Sequence, residues 1–262
     1  MADEPVADEP GERGAEEGRP AFYAARPGRW GDWWTILHPP YTAWHLSYVA
    51  IGASLAPHLD GTRLAATTLA FFSAVGVSAH ALDELCGRPL RTQIPDAALK
   101  AAVGGGLGVA VVLGVAGASR VGLVLVPFIV VGPVLLVAYN AELFGGFVHT
   151  NAGFALSWGT FPLVTAYVAQ TGRLNAVAVL AGGAAFAFSY AQRSLSTPAR
   201  TLRRRTRRVD GSIELADGTV RTLDEQVLLA PLEQALRALS WGMVSLATAL
   251  VVKRLGWKAE AS

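Results

Sequence analysis

The chain contains one cysteine, Cys86, among 262 residues. That excludes an intrachain disulfide and a zinc site built from several thiolates. Charge is also scarce: 16% of the residues are Asp, Glu, Lys or Arg, against about 25% in an average soluble domain. With 52% hydrophobic residues and a mean hydropathy of +0.37, lipid rather than water is the expected solvent. No basic segment followed by an apolar run opens the sequence, so no signal peptide is expected, and the membrane segments themselves serve as insertion signals.

Acidic charge gathers early. Residues 1–19 carry seven acids (Asp3, Glu4, Asp8, Glu9, Glu12, Glu16, Glu17) against two arginines, which leaves the remainder clearly basic. Residues 1–29 repeat Ala-Asp-Glu-Pro and hold almost no large apolar side chains. Such a segment buries too little surface to offset its ordering entropy, so it reads as a disordered tail. Trp30, Trp33 and Trp34 follow, an aromatic cluster suited to anchoring in the headgroup layer.

Apolar stretches then recur near 41–56, 64–82, 98–118, 121–138, 154–170, 174–192 and 228–252. Each approaches the ~20 residues that span the hydrocarbon. In lipid each must be a helix, which satisfies its own backbone polar groups. The expected fold is therefore all-α: a polytopic transmembrane bundle of about seven spans. Gly104-Gly105-Gly106 and Gly182-Gly183 lie inside spans, where small residues permit close helix approach.

Between the sixth and seventh spans stand Arg193, Arg200, Arg203, Arg204, Arg205, Arg207 and Arg208. By the positive-inside rule that connection is cytoplasmic. Seven spans then place the N-terminus and the connections 83–97 and 139–153 on the same side, a multi-pass cell-membrane topology with a cytoplasmic N-terminus. Arg88, Arg91 and Lys100 agree, whereas Lys253, Arg254 and Lys258 fall outside, against the rule. Beside a span the arginine run is topological rather than a nucleic-acid contact. Anionic lipid headgroups near Arg203–Arg208 are its expected partners. Residues 196–225 thus form a basic connection. Within it, two β-prone stretches flank Asp217-Gly218, the signature of a small cytoplasmic β-hairpin. Residues 226–262 hold an amphipathic start, with Pro231, Glu233 and Arg237, and the last span.

His45, His80, Asp83, Glu84, Asn140, Glu142 and His149 all fall at or near the cytoplasmic ends of spans. Taken singly, each is an ordinary interfacial polar residue. As a set from three spans and one side, they point to a shared polar site, because ionisable groups at membrane depth face a cavity or one another. His80, Asp83, Glu84 and Gly87 follow i, i+3, i+4, i+7 and share a helical face if the second span continues that far. His45, His80, Asp83, Glu84, Glu142 and His149 are the candidate metal ligands. Oxygen donors suit Mg²⁺, and the histidines equally suit Fe, Mn or Zn. Arg88 and Arg91, with Asn140, are candidate substrate contacts, the arginines gripping phosphate oxygens. His38 abuts Pro39-Pro40 and His58 lies on the outer side, so neither joins the set.

Three stretches resemble the UbiA superfamily of intramembrane prenyltransferases. HPPYTAWHLSYVAIGASLAP (38–57) is similar to the family's first helix. HALDELCGRPLRTQIP (80–95) resembles the stretch after the second, where aspartates lead into Arg-Pro-Leu. FALSWGTFPLVTAYVAQTGRL (154–174) resembles the fifth helix of the naphthoate prenyltransferases. The matching order spans about 38 to 195. The resemblance implies a helical bundle acting on a prenyl diphosphate or isoprenoid lipid, with Asp83 and Glu84 as Mg²⁺ ligands and Arg88 as a diphosphate contact. The sequence departs from the family in its Asp motifs. The first is altered to His80, Asp83, Glu84, Gly87, and QRSLSTP (192–198) holds no carboxylate where the second would fall. Two further readings stand beside it: a His/carboxylate metal-dependent membrane enzyme of different chemistry, and a non-catalytic isoprenoid-binding relative.

Overall fold

The computed structural model describes Ala21 and residues 23–260, with side chains to Gly256. It is an all-helical bundle with one small hairpin. Helix α1 (Arg29–Ile36) leads into α2 (Pro39–Ser54), α3 (Gly61–Leu85), α4 (Asp96–Val121), α5 (Leu123–Asn140), α6 (Asn151–Thr171) and α7 (Ala176–Arg205). Strands β1 (Gly211–Glu214) and β2 (Val220–Leu223) pair antiparallel, and α8 (Glu225–Glu260) closes the described chain.

Local chemistry sets the helix starts. The Asp60 carboxylate accepts from Thr62 N and Arg63 N to begin α3, Thr150 Oγ1 from Gly153 N to begin α6, and Asn175 Oδ1 from Ala178 N to begin α7. Each satisfies amides that a first turn leaves without partners. Two helices contain π-helical stretches, Phe72–Ala79 in α3 and Leu156–Thr160 in α6. The hairpin turns at Asp217-Gly218, with Gly218 at φ +83, as the sequence pattern anticipates.

Five helices (α3, α4, α5, α6 and α8 as far as Gly256) are long and apolar enough to cross a membrane. Their outer faces carry Val112, Val130, Trp241 and Val252 exposed, a continuous apolar surface that a water-soluble monomer does not present. The other two expected spans take a different form. Helix α2 is 16 residues long and mostly buried, a central element packed on α6 and α8. Helix α7 does not stop at 192. It runs unbroken to Arg205 and absorbs the first ten residues of the stretch expected to be connection.

Contacts give the helix directions. Gly52 meets Leu163 and His45 meets Trp158, so α2 and α6 run parallel. Ser78 reaches Val103, Thr160 reaches Gly182, and Arg203 meets Glu233. Successive long helices therefore alternate in direction. The start of α2, the end of α3, the end of α5, the start of α6, the end of α7 and the start of α8 gather at one end. At the opposite end the Gln170 amide exchanges two hydrogen bonds with the Asp60 backbone. There too Arg254 Nε donates to the Ser54 carbonyl (2.8 Å). This base, which broke the charge rule, satisfies the C-terminus of α2.

The glycine expectation is only half met. A Cβ on Gly106 would fall 2.4 Å from Ser73 O, and one on Gly182 would press on Thr160 and Val164. Gly104, Gly105 and Gly183 face open space. The tightest crossing is instead at Gly52, where a Cβ would lie 2.1 Å from Leu163 O.

The expected tail, 1–29, lies partly outside the described residues. At its described end Ala21 and Ala24 are buried, and Tyr23 is bonded to His38. Of the tryptophans, Trp30 and Trp34 are exposed, while Trp33 packs on the Ile36–Ala81–Leu90 cluster.

Candidate functional site

The gathered helix ends enclose a polar cavity of about 140 Å³. Its walls bring His45 from α2, His80 and Asp83 from α3, Asn140 from α5 and His149 from the α5–α6 connection to one place. These five are the part of the sequence-derived set that converges. Asn140 donates to Leu136 O (2.8 Å) within its own helix.

The remaining candidates stand elsewhere. Glu84 is fully buried, and its carboxylate accepts from Leu90 N (3.0 Å), Thr92 N (2.9 Å) and Thr92 Oγ1 (2.8 Å). It holds the α3–α4 connection. Consecutive helical residues differ in direction by about 100°, so Asp83 lines the cavity and Glu84 does not. Gly87 lies beyond the helix end and takes φ +113. Glu142 is at the surface, its side chain 68% exposed and 3.8 Å from His149 Nδ1. Arg88 donates to Thr92 O and Ile94 O and pairs with Asp96, and Arg91 is exposed. Both arginines serve the connection rather than the cavity.

Three histidines share one hydrogen-bond pattern. The Nδ1 atoms of His45, His80 and His149 lie 2.8, 3.2 and 3.0 Å from the carbonyls of Trp158, Gly76 and Tyr139. A carbonyl only accepts, so Nδ1 carries the proton and Nε2 is the lone-pair nitrogen in each neutral ring. For His149 that lone pair receives Arg193 Nη2 (3.2 Å).

His38, set aside by the sequence reading, also lines the cavity. Its ring stacks on His80 with centroids 4.3 Å apart, and its Nδ1 meets the Tyr23 hydroxyl. Burial, then the nearby His80 ring, then Arg204 and Arg200 hold its pKa well below the ordinary histidine value. Burial, reinforced by Tyr41, raises that of Tyr23. Four arginines read as topological line the cavity too: Arg193, Arg200, Arg203 and Arg204. Their 193, 200, 204 spacing falls on one helical face, a signal visible once α7 is allowed past 192. Arg203 and Glu233 form a mostly buried two-pronged ion pair, with Nη2 2.8 Å from Oε2.

Among the described residues, no group of three or more His, Cys, Asp or Glu lies close enough to hold a metal ion. With Glu84 committed to amides and Glu142 at the surface, Asp83 is the one carboxylate of the expected ligand set left in the cavity. The described residues therefore do not fit a resident Mg²⁺, Fe, Mn or Zn ion.

A second cleft of about 180 Å³ lies among α3, α4, α5 and α6, lined mainly by aliphatic residues and by Phe71, Phe128 and Phe161. Val75 and Trp158 line both spaces. The polar cavity and the apolar cleft are therefore neighbours, with these two buried side chains between them. In comparisons with family models, with curated proteins and with solved structures, nothing matches this chain.

Proposed function

We propose that this chain is a multi-pass cell-membrane enzyme, a divergent relative of the UbiA prenyltransferases, acting on a prenyl diphosphate or related isoprenoid lipid at its cytoplasmic face. The observation that carries this reading is the junction at Val75 and Trp158. A polar chamber at the helix ends stands there beside an apolar, aromatic-edged cleft, the two sharing one wall. That is the shape an amphiphile requires: head in the chamber, chain in the cleft, with water excluded by close-packed helices. The basic end of α7 supports a cytoplasmic chamber, and α2 and α7 complete seven membrane-embedded segments.

Two features of the junction suit ionisation of an allylic diphosphate. Tyr139 and Trp158 meet edge to face (centroids 5.6 Å) beside the chamber, and aromatic faces stabilise cations. His45 and His80 supply lone-pair nitrogens able to take a proton from an acceptor as the new bond forms. No step is assigned to a metal.

The test uses purified full-length protein in nanodiscs with radiolabelled prenyl diphosphates of several chain lengths and quinone-type or phenolic acceptors. Transfer of label to an acceptor is expected. Ala110→Trp, which fills the cleft, should abolish transfer of long chains first. Absence of turnover across that panel would remove the enzymatic reading and leave an isoprenoid-binding protein.

A further inference from the structure

The structure assigns to the polar chamber a phosphoryl-head subsite that needs no metal ion, built by Arg193 and Arg200 of α7 with the Tyr139 hydroxyl. This deepens the lipid reading above and rests on it for the hydrocarbon part alone.

The first argument is unsatisfied polarity. Tyr139 is 5% exposed and Gln192 3%, yet Tyr139 Oη and Gln192 Oε1 are buried with no hydrogen-bond partner among the described residues. Arg193 Nε and His38 Nε2 are in the same condition. All four belong to side chains that line this one chamber. Buried polar atoms without partners are costly, and each asks for a ligand or water. The phenol and the guanidinium Nε–H are donors. With the Tyr23 hydroxyl donating to Nδ1, His38 Nε2–H is a third. These three donors in one space are complementary to an oxyanion, whereas Gln192 Oε1 is an acceptor and calls for a water.

The second argument is charge. The chamber is lined by Arg193, Arg200, Arg203 and Arg204 against Asp83 and Glu233. Among the described lining residues four cations stand against two anions, an excess of two positive charges with the imidazoles neutral. A diphosphate or phosphate monoester carries the matching dianion or more, whereas a fatty-acid carboxylate or a phosphodiester supplies one negative charge. Guanidinium groups also grip phosphoryl oxygens in pairs. In a low-dielectric chamber they do what a divalent cation does elsewhere, and among the described residues no group of three or more His, Cys, Asp or Glu is placed to hold such a cation.

The third is position. Arg193 lies over the Phe154 ring (5.4 Å) and touches His149, beside the Trp158 junction. A head held there lies next to the side chains that border the cleft.

The experiment measures binding to the full chain in neutral phosphatidylcholine nanodiscs with EDTA throughout. The probes are farnesyl diphosphate, farnesyl monophosphate, farnesol, oleate and inorganic diphosphate. Farnesyl diphosphate should bind in EDTA, inorganic diphosphate should displace it, and farnesol and oleate should bind at least about tenfold more weakly. Tyr139→Phe, which removes one oxygen and leaves the packing, should weaken the diphosphate about fivefold, and Arg193→Gln or Arg200→Gln about tenfold or more. Farnesol affinity should be unchanged in all three, which also shows that they fold. Binding that rises tenfold or more with Mg²⁺, oleate equal to the diphosphate, or unchanged affinity in all three variants overturns the proposal. Metal-free binding without turnover removes the enzyme and keeps this subsite; turnover that depends on Mg²⁺ for binding does the reverse.

Discussion

Glu84 Oε1 receives both the backbone N–H and the hydroxyl of Thr92, eight residues further on, while Oε2 takes Leu90 N. A fully buried carboxylate thus ties the end of α3 to the start of α4. Glu84→Ala would strand three buried donors, and leaving such groups unpaired costs about 1–3 kcal/mol each. We expect a loss of about 3 kcal/mol or more, read as a drop in thermal midpoint in detergent. Prenyl diphosphate affinity of the folded fraction should not change. A loss of binding at full stability would make Glu84 a ligand-site residue after all.

The Arg203–Glu233 pair joins α7 to α8 at the chamber wall, with Arg237 a second, looser partner of the same carboxylate (3.6 Å). Removing one member of a buried pair leaves an uncompensated charge and costs about 3–5 kcal/mol. Glu233→Ala and Arg203→Ala should each destabilise the bundle by that order. The double variant should be less impaired than the sum, as a double-mutant cycle would record. Additive losses would count against coupling.

Gly52→Ala is expected to damage the α2–α6 crossing severely. The new methyl carbon would stand 2.1 Å from a backbone oxygen of α6, which no side-chain rotation relieves. Forcing atoms into a packed crossing costs about 3 kcal/mol. Gly104→Ala, facing open space, is the control and should be neutral. Size-exclusion profiles of the two variants after heating distinguish the outcomes.

Stability should fall as acid is added. His38 has a folded pKa below its ordinary value of about 6.5. The unfolded chain therefore takes a proton that the folded chain refuses, so stability is complete above about pH 6.5 and declines as pH drops through the folded pKa. Thermal midpoints measured from pH 7.5 downward should show this slope, and His38→Gln should flatten part of it. An unaltered slope in that variant would mean other groups carry the effect.

Orientation is open to direct labelling. In a Cys86→Ser background, Ser212→Cys in the hairpin should react with an impermeant maleimide only in inside-out vesicles. Arg173→Cys, at the opposite end, should react only in right-side-out ones. The reverse pattern would place the chamber outside.

Much of this architecture is legible in the sequence because hydropathy acts over whole segments. The apolar runs locate the helices, Asp217-Gly218 locates the hairpin, and alternation places His45, His80, Asp83, Asn140 and His149 at one end. The site's other half is hidden by a boundary. Ending a helix at Gln192, where apolar residues stop, turns the arginines into a loop, although α7 carries them inward through Pro198 to Arg205. His38 escapes because Pro39-Pro40 suggests a break, whereas the two prolines begin α2 and set the imidazole at its mouth. Glu84 shows the converse: type and spacing are right for a ligand, but backbone amides in a connection of irregular shape claim it first.

The π-helical stretches Phe72–Ala79 and Leu156–Thr160 place Val75 and Trp158, the two residues shared by chamber and cleft, on locally overfull turns. A π turn takes up roughly one residue more than an α turn, so the helix beyond it is rotated by about 100° relative to an unbroken α-helix. In α3 that offset decides which way His80 and Asp83 face. Deleting one residue from 72–79 would let the helix relax to ordinary winding with both side chains still facing the chamber, whereas a deletion in the α-helical turns on either side would rotate one end of the helix against the other by about 100°. Single-residue deletions inside these two stretches should therefore be tolerated better than deletions in the α-helical turns that flank them.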